Sequence, residues 1–157
     1  MSTHPALRFE AGGLERDDVA ALLAEHLAEM RATSPAESVH ALPVAALSAP
    51  SISFWTARDA DDLVGCGALK DLGGAHAELK SMRTRAAARG RGVGEAMVRH
   101  LLAEAQRAGM RRVSLETGTQ DHFAPARRLY ARHGFTVCSP FGEYRLDPHS
   151  VFMTREV

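Results

Sequence analysis

The chain has 157 residues, 45% of them hydrophobic and 24% charged, with nineteen basic side chains balancing nineteen acidic ones. That length suits one domain built on one core. A net charge of zero speaks against a general nucleic-acid or membrane binder, which usually carries a basic excess, and no apolar run approaches the ~18 residues that cross a bilayer.

In chain order, Leu7 to Ala11 reads as a short strand stopped by Gly12-Gly13. Val19, Leu22, Leu23, Leu27 and Met30 recur at helical spacing and predict a helix with one apolar face. Asp17 and Asp18 stand at its start, where negative charge complements the dipole. Ser34-Pro35 ends it. Ser38 to Leu47 is expected as a second short helix, started or interrupted by Pro43. Ile52 to Arg58, Leu63 to Leu69 and His76 to Thr84 are strand-like runs joined by short turns, which predicts antiparallel pairing. Gly65 and Gly67 mark the middle run as weakened or bulged.

Arg85 to Arg91 is an arginine-rich loop. A long helix begins at Gly92, carries the apolar stripe Val93, Met97, Val98, Leu101, Leu102 and Ala105, and stops at Gly109. Arg112 to Thr117 is the next strand. The strand–helix–strand unit from His76 to Thr117 predicts parallel neighbours. Pro125 to His133 predicts a shorter helix, with proline in its first turn and Gly134 at its end. Phe135 to Cys138 and Val151 to Val157 are the last strands. The aromatic, turn-rich SPFGEYRLDPHS lies between them, and this region suits a homodimer contact. The expected fold class is α/β, a single domain with a mixed, mostly antiparallel twisted sheet flanked by helices. The N-terminus shows no signal-peptide pattern. Cys66 and Cys138 are too few for a disulfide framework or a zinc site. Both are expected as buried or free thiols in a reducing cytoplasm.

Arg89-Gly90-Arg91-Gly92-Val93-Gly94 places three glycines at alternate positions before a helix N-terminus. Backbone amides so arranged suit a pyrophosphate. The dinucleotide fingerprint would need glycine where Glu95 stands, and no Gly-Lys-Ser/Thr follows to make a Walker loop. Arg83, Arg85, Arg89 and Arg91 put four guanidinium groups within nine residues. One or two are expected on phosphate and the rest in solvent.

The Arg-x-x-Gly-x-Gly run at 89–94 resembles the acetyl-CoA signature of the GNAT N-acetyltransferase superfamily. Ala126-Arg127-Arg128-Leu129-Tyr130-Ala131-Arg132-His133-Gly134-Phe135 resembles that family's second motif, A-x-x-L-Y-x-x-x-G-F. A further likeness, to a bacterial YsnE-like subgroup, rests on Ser34-Pro35, Glu37-Ser38-Val39-His40, Leu115-Glu116-Thr117-Gly118 and Pro140-Phe141-Gly142-Glu143-Tyr144. The resemblance implies one N-acetyltransferase domain over residues 1–157, with an acetyl-CoA core at about 76–135. Phe123 stands where many relatives carry asparagine, so a polar contact available to them is absent.

By this resemblance, acetyl-CoA is the donor and a small primary amine the acceptor, with no metal, nucleic acid or membrane involved. Met82, Arg83 and Thr84 would pair with the pantetheine arm, and a backbone N–H near Met82 would polarise the thioester oxygen. Arg89, Gly90, Arg91, Gly92, Val93 and Gly94 would hold the pyrophosphate. Tyr130 occupies the position of the acid that protonates the leaving sulfur. Glu78 is the candidate base, or else an ion-pair partner of Lys80 or an arginine. Period-two alternation places Glu78, Lys80, Met82 and Thr84 on one face, and Glu116 is the reserve. His122, Phe123, Phe141 and Tyr144 lie in loops suited to line an acceptor pocket for a partly apolar amine. Two other functions are compatible with the residues: a catalytically silent acyl-CoA-binding module, and a nucleic-acid binder that uses the arginine loop.

Overall fold

The computed structural model describes residues 7–40 and 42–157. Its elements run β1 (Leu7–Ala11), α1 (Asp17–Thr33), α2 (Val44–Leu47), β2 (Ile52–Asp59), β3 (Asp62–Asp71), β4 (His76–Thr84), α3 (Val93–Arg107), β5 (Arg112–Gly118), α4 (Ala124–Arg132), β6 (Thr136–Cys138) and β7 (Ser150–Glu156). The seven strands form one sheet in the order β1-β2-β3-β4-β5-β7-β6. All neighbours are antiparallel except β4 and β5, which are parallel as expected for strands linked by a helical crossover.

Apolar residues divide between the two faces. On one, α3 lays Val93, Met97, Val98, Leu101, Leu102 and Ala105 against Ala77, Leu79, Val113, Leu115 and Met153, with Tyr130 and Phe135 completing the cluster. On the other, Val19, Leu22 and Leu23 of α1 and Leu47 of α2 cover Phe54, Leu63, Cys66 and Ala68. Gly65 and Gly67 are where α3 comes closest to the sheet. A Cβ on Gly67 would stand 2.8 Å from both Leu101 Cδ1 and Met82 Sδ. These glycines remove side chains where a helix must pack. At the start of α1, the buried Arg58 guanidinium holds Asp18 through Nη1 at 2.8 Å and Nη2 at 3.1 Å, which fixes the helix to β2.

Of the helix expected from Ser38 to Leu47, only the part started by Pro43 forms. A single 3-10 turn covers Ala36–Ser38, and α2 is only Val44–Leu47 with Pro43 as its N-cap. Proline restricts the residue before it to extended backbone, so a helix cannot run through position 42 into 43. The Ser38 hydroxyl instead donates to Asp147 Oδ2 at 2.6 Å, joining this segment to the chain before β7. Both cysteines are free, with Cys66 buried. Phe141, Tyr144 and Phe152 pack on one another, so these C-terminal aromatics are used within the protomer.

Leu101 is fully buried between α3 and the sheet. Leu101→Ala is expected to cost about 2–5 kcal/mol, read as a lower urea midpoint with an unchanged slope.

Candidate active site

The site exists because two strands separate. β4 and β5 pair from His76↔Arg112 to Leu79↔Leu115 and no further. Beyond that point β5 remains paired with β7 through Gly118↔Ser150, and β4 remains paired with β3 through Thr84↔Gly65. Between them β4 bulges. Ala68 pairs with Lys80 and Cys66 with Arg83, so β4 carries one extra residue, and Ser81 takes a left-handed φ of 55°. A bulge bends and twists its strand. The opening it leaves is a cavity of about 580 Å³, lined by both strands, the glycine loop and α4.

The bulge also corrects the expected alternation. Glu78 and Lys80 share one face, but Met82 and Thr84 lie on the other. Met82 packs beside Leu101 and Met97 of α3 around Gly67, and Thr84 Oγ1 approaches Gly94. Arg83 takes the face of Glu78 and Lys80 instead. Its buried guanidinium is held by Glu25 and Glu29 of α1.

At one end of the cavity, Gly92 adopts φ 78° and starts α3 with no side-chain cap. The N–H groups of the first turn, Val93, Gly94 and Glu95, have no intrahelical acceptors, and all three residues line the cavity. Gly90 has φ 80°, and a Cβ there would meet nothing within 4 Å. Together with the dipole of a fifteen-residue helix, this arrangement suits a phosphate group. Arg89 is half-exposed with Nη2 3.3 Å from Glu29. Arg91 donates to the Ala87 carbonyl at 2.9 Å and does not line the cavity. Arg85 is exposed.

At the other end, Glu78 is 3% exposed. Its Oε2 accepts the Tyr144 hydroxyl at 2.5 Å and the Lys80 ammonium at 3.2 Å. Lys80 also donates to Tyr144 Oη at 3.0 Å and to the His40 carbonyl at 3.4 Å, so its three protons are all engaged. Burial and the charge of Glu78 push the Tyr144 phenol far up. Glu116 lies on β5 just past the last β4 pair and accepts the Ser150 hydroxyl at 2.8 Å. Burial raises its carboxyl to about 7, with Glu78 adding to the rise and Ser150 and Lys80 opposing it. Tyr130 reaches the same cavity from α4, edge-on to Phe135 at 5.9 Å. Its phenol is also pushed up, by burial and then by Glu116. Because the opening cuts through the sheet, Tyr130 on the α3 side and Glu116 on the other meet in one space.

Residues 19–135 match the profile of the acetyltransferase (GNAT) family. The chain is 48% identical over 139 residues to YsnE, an uncharacterized N-acetyltransferase of Bacillus subtilis, covering 88% of this chain and 92% of that protein. It is 46% identical over 152 residues to YedL, an uncharacterized N-acetyltransferase of Escherichia coli, covering 97% and 88%. Among solved structures it is similar to a candidate acyl-CoA N-acyltransferase from Klebsiella pneumoniae, with a TM-score of 0.78 and 25% identity, covering 97% and 98%. The chain belongs to the GNAT family. It is an acyl-CoA-dependent N-acetyltransferase of the YsnE-like subgroup.

Within this GNAT enzyme, three stretches separate in sequence build one side of the cavity. Ser38 and His40 come from the segment after α1, Glu116 from β5, and Tyr144 from the loop before β7. The rings of His40 and Tyr144 meet edge-on at 5.0 Å. His122 and Phe123 line the cavity, and Phe141 packs behind Tyr144 at 5.2 Å without reaching it. Phe123 folds over Gly118, where a side chain would collide with its ring. Residues that sequence reasoning missed are Ser150, Glu25 and Glu29. Nothing in their local pattern marks them, since each acts through a partner 34 to 58 positions away. His26 of α1 adds a buried imidazole. It lines the cavity, and burial together with Arg83 brings it down to about 4.

The Glu116 carboxyl is expected to titrate near pH 7, and Ser150→Ala should raise it further because the hydroxyl stabilises the anion. Carboxyl ¹³C shifts followed against pH test this, and titration at the ordinary value of 4.5 would remove Glu116 from the set of proton acceptors.

Proposed function

We propose that this protein transfers the acetyl group of acetyl-CoA to a small primary amine, which attacks the thioester directly in the opening between β4 and β5. The observation that carries this reading is one continuous cavity with an uncapped helix N-terminus at one end and a near-neutral carboxyl at the other. The amides of Gly92, Val93 and Gly94, with Gly90 and Arg89, receive the pyrophosphate. Of the four arginines, Arg83 serves through its backbone, since its side chain is committed to α1. Met82 and Thr84 offer free main-chain groups to the pantetheine amides in the manner of an added strand. A main-chain N–H at the bulge, near Met82, polarises the carbonyl oxygen.

Two residues move protons. Glu116 accepts one from the amine, in preference to Glu78, whose Oε2 is already shared by Tyr144 and Lys80. A carboxyl raised to about 7 is matched to accepting a proton at neutral pH. The Tyr130 hydroxyl gives a proton to the departing sulfur. Burial holds the phenol neutral, so it offers a hydrogen to the sulfur as the C–S bond breaks, and the proton shed by the attacking nitrogen restores it. Aromatic and apolar lining from Met30, Phe123 and Tyr144 suits an acceptor with an apolar body.

Thiol release from acetyl-CoA over a panel of amines tests the reading. Tyr130→Phe should lower kcat by about tenfold to a hundredfold with acetyl-CoA KM nearly unchanged, and an equal loss in both would assign Tyr130 to packing. Gly94 has an ordinary helical conformation, and a Cβ there meets only Leu129 Cδ2 at 3.3 Å and Thr84 Oγ1 at 3.5 Å. Gly94→Glu should therefore leave the fold intact and place a carboxylate where phosphate binds, abolishing acetyl-CoA binding by calorimetry. Unchanged affinity would overturn the pyrophosphate assignment.

A further inference from the structure

The charges around the cavity narrow the acceptor further, given the transferase reading above. Four residues with fixed positive charge line it, namely Lys80, Arg83, Arg89 and Arg132. Arg83 is held by Glu25 and Glu29. Arg89 belongs to the glycine loop and leans on Glu29. Arg132 ends α4 beside His133, whose Nε2 is 3.3 Å from Glu95 of the same loop end. Among the described residues only Lys80 stands at the Glu116 end, and its three protons go to Glu78, Tyr144 and the His40 carbonyl. Imidazoles also line the cavity. His40 is held down by burial and by Lys80, and His122 is 2.8 Å from Glu29. His149 is exposed at the rim.

Acidic groups are placed the other way. Glu78 and Glu116 both border the space where the amine must arrive, and Asp147 lies just behind, bound to Ser38. The cations without partners in this region, Lys70 and Arg145, line a separate cavity on the far side of His40, Glu78, Lys80 and Tyr144. Neither Lys70 nor Arg145 lines the cavity that holds Glu116.

We propose that the acceptor is a primary amine with an apolar body and no carboxylate on the carbon that bears the nitrogen, so that the enzyme acts on decarboxylated amines and rejects the corresponding α-amino acids. An α-carboxylate would enter a buried space whose nearby cation, Lys80, is already committed to Glu78, Tyr144 and the His40 carbonyl, and would face Glu78 and Glu116. Both the loss of hydration and the repulsion oppose it. The amine itself meets the reverse situation, because an ammonium is drawn toward the same carboxylates.

Matched acceptors test this: phenethylamine, phenylalanine and phenylalaninamide, then isoamylamine, leucine and leucinamide. On the full-length enzyme, kcat/KM for each amine should exceed that for its amino acid by on the order of a hundredfold. The amide, which has the bulk without the charge, should fall near the amine. Glu78→Gln releases Lys80 and should shrink the amine-to-amino-acid ratio at least tenfold, whatever it does to the absolute rates. Amino acids used as well as their amines, or amides rejected as strongly as acids, would overturn the proposal while leaving an acetyltransferase in place. Acetyl-CoA binding with no thiol released by any acceptor would overturn the transferase reading, and this inference with it.

Discussion

Everything at the active site depends on where β4 stops pairing with β5. Each strand keeps its outer partner, so the sheet does not come apart. It opens only from Leu79 and Leu115 onward. The bulge at Ser81 costs β4 a regular ladder position, and the left-handed backbone there is unfavourable for a residue with a Cβ. The return is a set of main-chain groups facing an open space, a use of strain often found at functional sites. The same bulge reverses the side-chain alternation, sending Met82 toward α3 and Arg83 toward α1. The reactive residues can then be drawn from both faces of one sheet.

The buried charges that this opening creates are handled by pairing. Glu29 is the centre of one group, joining Arg83 of β4, Arg89 of the glycine loop and His122 before α4. Although burial would raise its carboxyl, these cations, Arg83 foremost, hold it below the ordinary range. Glu78, Lys80 and Tyr144 form the second group. Unpaired charge at such depth is costly, and breaking one partner of a buried pair commonly costs several kcal/mol. Glu116 is the exception. It has a hydroxyl beside it and no direct cation, so its carboxyl rises toward neutrality.

Much of this was legible in the chain itself. The apolar stripe from Val93 to Ala105, the three glycines from 90 to 94, and Pro125 followed by Gly134 specify a crossover helix, an anion loop and a short helix from local rules alone. The fold class and the parallel placement of β4 and β5 follow from those elements, because a strand–helix–strand unit has few ways to close. The motifs also pointed to the family that the comparisons establish.

What the tertiary structure decided lies in the exceptions to local rules. A bulge is one extra residue in a pair of strands, and neither strand encodes it alone, so the face of Met82 and Arg83 was not readable from period two. Pro43 was visible as a helix start or break, but the partner of Ser38 was not, since Asp147 lies 109 positions away. The choice between Glu78 and Glu116 was beyond sequence for the same reason. Both are glutamates on core strands, and their difference comes from Tyr144, Lys80 and Ser150, brought in by packing. Sequence determined which elements form and that a glycine-rich loop would lead into α3. Only folding decided which carboxylate was left without a cation, because a side chain's protonation depends on the desolvation and charges that distant parts of the chain supply.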